Sequence, residues 1–332
     1  MLIRKQPSLY PCYRLWTALV LLLSPLFALA NDMPWSPTRP IRLIVPFPPG
    51  GAVDTITRVF ASRLSERLGQ SVVVDNRGGA NGLIGTDITA KAPADGHTLL
   101  VVPAGHAIAP SVNKKLPYNT LKDFKAIGLI GHGAYVLVIP QSLPLQSVGE
   151  LIQWAKARPG QLNYALTGYG NATHLAGELF NILAGVDLVG VSYKGGGPAL
   201  ADLIGGQITA FFSGVASGRA FIKANKIRAL GVTTLRRSSG LPDVPTLSEA
   251  GVADYEVDGW YGLIAPGNTP DHVIDRLNRD LSLTVSTPAM KERLLNAGIE
   301  AEPSTPQAFQ KLISHDIARW ATLIQKAHIA PY

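Results

Sequence analysis

Short, wholly apolar runs alternate along this chain with longer amphipathic ones. Residues 41–45 form the first apolar run. Beyond it Ile56, Val59, Phe60, Leu64 and Leu68 recur at helical spacing, and Gly69 is placed to end the helix. The same alternation predicts strands at 72–74, 98–102 and 135–139, and a helix at 83–90. Past Pro140 it begins again. Ser147 and Glu150 make an S-x-x-E capping box opening a helix to about residue 158, before Pro159-Gly160. Strands follow at 162–166, 189–192, 208–212 and 227–232, each but the last leading through a turn into a helix. Short apolar strands alternating with helices predict parallel sheets covered on both faces. The chain crosses back near 255–265. Three helices then start alike, with Thr269-Pro270, Thr287-Pro288 and Thr305-Pro306 each placing a threonine cap before a proline. In the last of them Phe309, Leu312, Ile313, Ile317, Trp320 and Ile324 form one apolar stripe, which predicts a helix packed back across a domain. The expected architecture is α/β and two-lobed: 38–139 with 260–332 as one lobe, 140–259 as the other.

The turns between these elements carry the candidate chemistry. Phe47, Pro48, Pro49, Gly50 and Gly51 join the first strand to its helix. Proline fixes φ and removes N–H groups, while glycine lets backbone approach a ligand closely. Gly50, Gly51 and Ala52 are therefore expected to present free N–H groups at a helix N-terminus, a natural seat for an anion. Similar turns hold Asn81 and Gly82; Pro103, Ala104, Gly105 and His106; Thr167, Gly168, Tyr169, Gly170, Asn171 and Thr173; Lys194 and Gly195; and Ser213. Any one of these could simply be a tight βα connection. Turns at the strand carboxyl ends of both lobes would face one cleft, where ligands of open α/β sheets bind. We take these residues as the candidate ligand site.

Other chemistries are disfavoured. There is no G-x-S-x-G, no G-x-x-x-x-G-K and no clean G-x-G-x-x-G, so the usual hydrolase elbow and the nucleotide-phosphate loops are absent. His174 and Glu178 have metal-ligand spacing, but nothing nearby in sequence completes a set of ligands. Asp54, Asp87 and Asp258 are scattered, and Asp54 is better placed to favour its own helix N-terminus. We expect no catalysis, no metal and no cofactor.

The N-terminus and the charge supply an address. Basic residues precede Leu15, an apolar stretch runs to Phe27, and Ala28-Leu29-Ala30 follows. This is a signal-peptide pattern, with an apolar run shorter than the roughly 20 residues of a membrane span. The only cysteine, Cys12, precedes that run, so the mature chain lacks thiols and disulfides. Removing Arg4, Lys5 and Arg14 with the leader lowers the formal charge from +7 to +4. No basic stripe remains for nucleic acid. A weak positive charge mildly favours a small anionic ligand.

The stretches WSPTRPIRLIVPFPPGGAVD, VVVDNRGGANGLIG, TGYGNATHLAGELF, VSYKGGGPALADLIGGQI, LPDVPTLSEAGV and WYGLIAPGNTP, in that order along the mature chain, resemble the Bug family. These are TctC-like extracytoplasmic solute-binding receptors of tripartite tricarboxylate transporters. The resemblance implies a type II-like periplasmic-binding-protein fold, with two mostly parallel α/β lobes closing on a small organic carboxylate. It implies a monomer that delivers its ligand to one large and one small membrane subunit. It also implies that Phe47 to Gly51 and Thr167 to Thr173 grip the ligand. Two departures from the family pattern stand out: His106 where Ser and Thr are usual, and Tyr169 in a turn usually made of small residues. With Phe47, these are expected to shape selectivity through aromatic walls. A receptor feeding a signalling sensor and a secreted enzyme on the same scaffold are the alternatives.

Cleavage after Ala30 is expected. The intact mass of the exported protein checks it; a mass that retains residues 1–30 contradicts the export reading.

Overall fold

In the computed structural model of this chain, residues 35–331 are described. The expected signal peptide, residues 1–30, lies outside them. Ten strands are built around one long one. β1 (Ile41–Val45), β2 (Val72–Asn76) and β3 (Thr98–Pro103) pair in parallel; β5 (Leu162–Leu166), β6 (Leu188–Ser192) and β7 (Ala210–Gly214) do so again. Between the trios run β4 (Phe124–Pro140) and β9 (Asp258–Pro266), giving the order β2-β1-β3-β9-β4-β7-β5-β6. β8 (Ile227–Val232) and β10 (Glu300–Ala301) also pair with β4.

β4 belongs to two sheets. Its first part, 124–134, pairs antiparallel with β9, whereas Tyr135 onward pairs antiparallel with β7 and β8. Sheet exchange thus occurs inside β4 near Ala134, not after Pro140 as the sequence pattern suggests. Each sheet is parallel only in its outer trio. The crossing strands enter antiparallel, because they carry the chain between sheets instead of returning through a helix.

The helices follow the apolar periodicity closely. α1 (Ala52–Leu68) buries Val53, Ile56, Phe60, Leu64 and Leu68. It stops at Gly69, whose φ of 69° is a glycine conformation and whose N–H bonds the Ser65 carbonyl at 3.0 Å. α2 (Leu83–Ala90) lies where it was expected. α3 (Gly105–Val112) was not expected: the sequence reading has Pro103 to His106 as a turn, yet a helix forms and buries His106, Ala107, Ile108, Ala109 and Val112, with Pro110 inside it. Burial of that face outweighs the one hydrogen bond that proline removes. α4 (Val148–Lys156) is capped by Ser147, whose Oγ accepts the Glu150 N–H at 3.2 Å; the Glu150 carboxylate accepts from Gln146, one residue further back. α5 (Ala172–Ala184), α6 (Gly196–Ile204) and α7 (Val215–Lys223) complete the second unit.

α8 (Asp271–Val285), α9 (Pro288–Asn296) and α10 (Pro306–Lys326) close the chain. Thr287 and Thr305 cap their helices as expected, accepting from Met290 and Ala308. Thr269 does not: Pro270 is itself the cap residue, and the Thr269 hydroxyl donates to the Pro266 carbonyl at 2.7 Å. α10 lies against α3 and β4. Its Phe309 meets Trp260 edge-on at 5.3 Å, and its buried Asp316 accepts from Trp260 Nε1 at 2.7 Å. The last helix thereby holds β9, one of the two crossing strands.

That contact leaves no spare room. A Cβ at Gly262 would sit 2.0 Å from the buried Phe309 ring, whereas one at Gly149, inside α4, meets only the Ser147 hydroxyl at 3.9 Å. Gly262→Ala is expected to lower the urea-unfolding free energy by about 1–3 kcal/mol. Gly149→Ala is expected to raise it by about 0.4–1 kcal/mol.

Candidate functional site

The turns after the parallel strands open onto a cavity of about 690 Å³. All the candidate residues line it except Gly168 and Tyr169. The Tyr169 side chain is 57% exposed, its ring edge-on to His174 at 5.2 Å. The positive φ angles of Gly168 and Gly170, 141° and 69°, turn this loop so that Gly170 onward faces the cavity. The expectation that Tyr169 forms part of the cavity wall is therefore corrected.

The first turn is tied down by Asp54. This buried carboxylate accepts from the Gly50 N–H at 2.9 Å, from Asn76 Nδ2 at 2.9 Å and from Arg58 Nε at 3.0 Å. Asn76 also donates to the Phe47 carbonyl at 3.1 Å. The Arg58 hydrogen bond, helped by the others and opposed by burial, lowers the Asp54 pKa to about 2. The Gly50 N–H is thus already used, contrary to the sequence expectation. No hydrogen bond among the described residues takes up those of Gly51 and Ala52. They remain at the start of α1, among the N–H groups that have no partner within the helix.

The turn before α5 is also held from within. Asn171 Oδ1 accepts from the N–H groups of Thr173 and His174, both at 3.1 Å, and its Nδ2 donates to Thr167 Oγ1 at 2.9 Å. The Thr167 N–H donates to Thr173 Oγ1 at 2.9 Å. The Gly170 N–H donates to His174 Nδ1 at 3.0 Å, which leaves the proton of a neutral imidazole on Nε2; burial lowers the His174 pKa. Asn171 and Thr173 therefore shape the turn they line. The Tyr164 hydroxyl donates to Glu178 at 2.7 Å, and burial raises that carboxyl pKa. Among the described residues no group of three His, Cys, Asp or Glu is placed to hold a metal.

Lys194 contributes the one charged side chain among the residues lining the cavity. It precedes Gly195, at φ 122°, and the start of α6, where added Cβ atoms at Gly195 and Gly197 would meet nothing within 4 Å. Backbone donors are open to a ligand here. β7 contributes Phe211, Ser213 and Gly214.

Sequence reading missed the floor. Tyr135, Trp260 and Tyr261 line the cavity from β4 and β9. Burial raises both tyrosine pKa values, that of Tyr261 to about 12. Only the register between the crossing strands brings these rings together, and nothing in local periodicity announces it. Tyr118 and Thr86, from the loop after α3 and from α2, also line the cavity and were missed.

A family model described as the tripartite tricarboxylate transporter family receptor, TctC, matches residues 56–329. The UPF0065 protein in the tcbD-tcbE intergenic region of Pseudomonas sp. (strain P51) is 40% identical over 289 residues, covering 87% of this chain and 86% of its own. Among solved structures, that of R. palustris Rpa4515 with adipate superposes at a TM-score of 0.81 with 36% identity, covering 89% of this chain and 99% of its own. The structure of the periplasmic binding protein BugD gives a TM-score of 0.78 with 34% identity, covering 89% and 100%. The two-lobed α/β binding-protein fold is that of these neighbours.

The Asp54 clamp makes a pH-dependent contribution to stability. Its folded pKa of about 2 lies below the ordinary 3.8, so the contribution is complete above that ordinary value and is lost as pH falls toward 2. Asp54→Asn is expected to lower unfolding free energy at pH 7 by about 2 kcal/mol. The gap between the two proteins should narrow between about pH 4 and 2, as read by urea denaturation across that range.

Proposed function

We propose, from the premise that this chain belongs to the tripartite tricarboxylate transporter receptor family, that it is a periplasmic solute-binding protein for a small organic carboxylate. On this reading residues 1–30 are removed on export, and the mature protein acts as a monomer. It hands its ligand to a membrane transporter of one large and one small subunit. It performs no catalysis.

The observation that carries the reading is the convergence of donor-rich turns from both sheets on one cavity. Gly51 and Ala52 come from one side. Gly195 and Gly196, together with the Thr167–Thr173 turn, come from the other. A carboxylate there meets two helix N-termini, each contributing roughly 0.3–1 kcal/mol of charge stabilisation. Hydrogen bonds to a charged acceptor add about 1.5–3 kcal/mol each. Five or six of them can outweigh ordering costs and still leave the roughly −8 kcal/mol of a micromolar site. Adipate in the R. palustris neighbour is such an acid.

The lobes we assign are 38–139 with 260–332, and 140–259; β4, which passes from one sheet to the other near Ala134, leads from the first into the second. Donors on the two lobes reach one ligand together only when the cleft shuts, so the ligand stabilises the closed form by its preference for it.

A thermal-shift screen of organic acids against the mature protein is expected to give stabilisation by a carboxylate, followed by calorimetry and small-angle scattering. Bound ligand should reduce the scattering radius. Gly51 has ordinary backbone angles, φ −75°, and a Cβ there clears the Pro48 carbonyl by 3.5 Å. Gly51→Val should therefore fold, while its side chain obstructs the approach to the α1 N-terminus and weakens binding by at least about tenfold. Unimpaired binding by this variant, or no stabilisation by any acid, overturns the reading.

A further inference from the structure

His106 stands apart from the rest of the cavity lining. It lies on α3, lines the cavity, and is only 5% exposed. Its ring is fixed by packing: it stacks on Tyr118 at 6.3 Å with an interplanar angle of 17°, and meets Phe124 edge-on at 5.3 Å and 83°. Its Nε2 is buried and has no hydrogen-bond partner. A buried polar atom left unsatisfied costs free energy that a partner recovers, so such atoms mark places where something binds. Burial lowers the His106 pKa to about 4, so the ring is neutral near pH 7 and offers one donor and one acceptor.

Its surroundings are neutral as well. Val102, Ala109, Val112, Tyr118 and Trp260 share this part of the lining, and the one charged side chain in the cavity, Lys194, comes from the loop before α6. A second carboxylate laid against this wall would be desolvated without a cation to compensate, which is costly. A hydroxyl avoids that cost, since it can donate to or accept from a neutral imidazole. A flat ring beneath it gains contact with the aromatic walls.

We propose that the His106 wall is a neutral subsite for an uncharged hydroxyl on the ligand, making the preferred ligand a monocarboxylate with a flat hydroxylated body rather than a dicarboxylate. This deepens the carboxylate-binding reading and rests on it. The carboxylate end stays with the glycine-rich turns, and His106 selects what lies at the other end.

The test is calorimetry on the mature protein with three probes: 4-hydroxybenzoate, benzoate and adipate. In the wild type, 4-hydroxybenzoate is expected to bind about tenfold more tightly than benzoate, the effect of one hydrogen bond to a buried partner. Adipate is expected to be weakest. His106→Phe keeps a ring between Tyr118 and Phe124 but removes both nitrogens; it should bring the two benzoates within about twofold of each other. His106→Gln, which restores a neutral donor and acceptor, should recover part of the preference. Adipate binding more tightly than both benzoates overturns the proposal, as does a wild-type ratio near one or a ratio unchanged in His106→Phe. The wild-type ratios decide the matter even where the phenylalanine variant fails to fold. Silence of all three probes while other acids bind overturns this inference alone; silence of every acid overturns the parent reading with it.

Discussion

Everything in this structure hangs on β4, the strand shared by two sheets. Extended backbone in a buried position must find hydrogen-bond partners along its whole length. β4 finds them first on β9 and then on β7 and β8. One chain segment thereby joins both α/β units and decides how their turns face. The close approach of the crossing strands also explains their glycines: a Cβ at Gly259 would lie 2.6 Å from the Gly133 carbonyl, and one at Gly131 would lie 2.3 Å from that of Glu300. His132 and Asp258 pair where these strands cross, and interaction with that carboxylate outweighs burial to raise the histidine pKa.

The cavity is built by turns that first satisfy themselves. Asp54 takes up the Gly50 N–H, and Asn171, Thr173 and His174 take up the donors around the second turn. What remains for a ligand is a smaller, fixed set of N–H groups at Gly51, Ala52 and the α6 glycines. A rigid turn with few free donors discriminates better than a loose one with many, because little ordering remains to be done when the ligand arrives. Asp54 has a second consequence. A buried carboxylate at the start of α1 uses part of the positive end of that helix, and Arg58 beside it offsets the charge. The N–H groups left open at this turn are thus set by neutral donors and geometry more than by net charge.

The walls follow a different logic. His106, Tyr118 and Phe124 form a packed aromatic group, while Tyr135, Trp260 and Tyr261 form the floor where the strands cross. Both sets are nearly free of charge. The lining is therefore divided between open backbone donors at the turns and neutral rings at the wall and floor.

Local pattern by itself determined most of the strands and helices and the candidate turns, since the 2.0 and 3.6 residue periods and the cap residues act over a few neighbours; it missed the first half of β4 and the two-residue β10. It carried Gly69, Ser147, Thr287 and Thr305 to their observed roles. It failed at α3, read only as a turn after β3, and at Thr269, whose hydroxyl turns to Pro266. The pattern also suggested the two lobes, and the resemblance to a known family added the carboxylate. Only the tertiary structure decided that Tyr169 leaves the cavity, that the Gly50 N–H is spent on Asp54, and that His106 is buried with an unpartnered nitrogen. It alone brought Tyr135 beside Trp260 and Tyr261. The last of these depends on strand register between residues more than a hundred positions apart, and the others on side-chain contacts within one or two neighbouring elements; no local period encodes either.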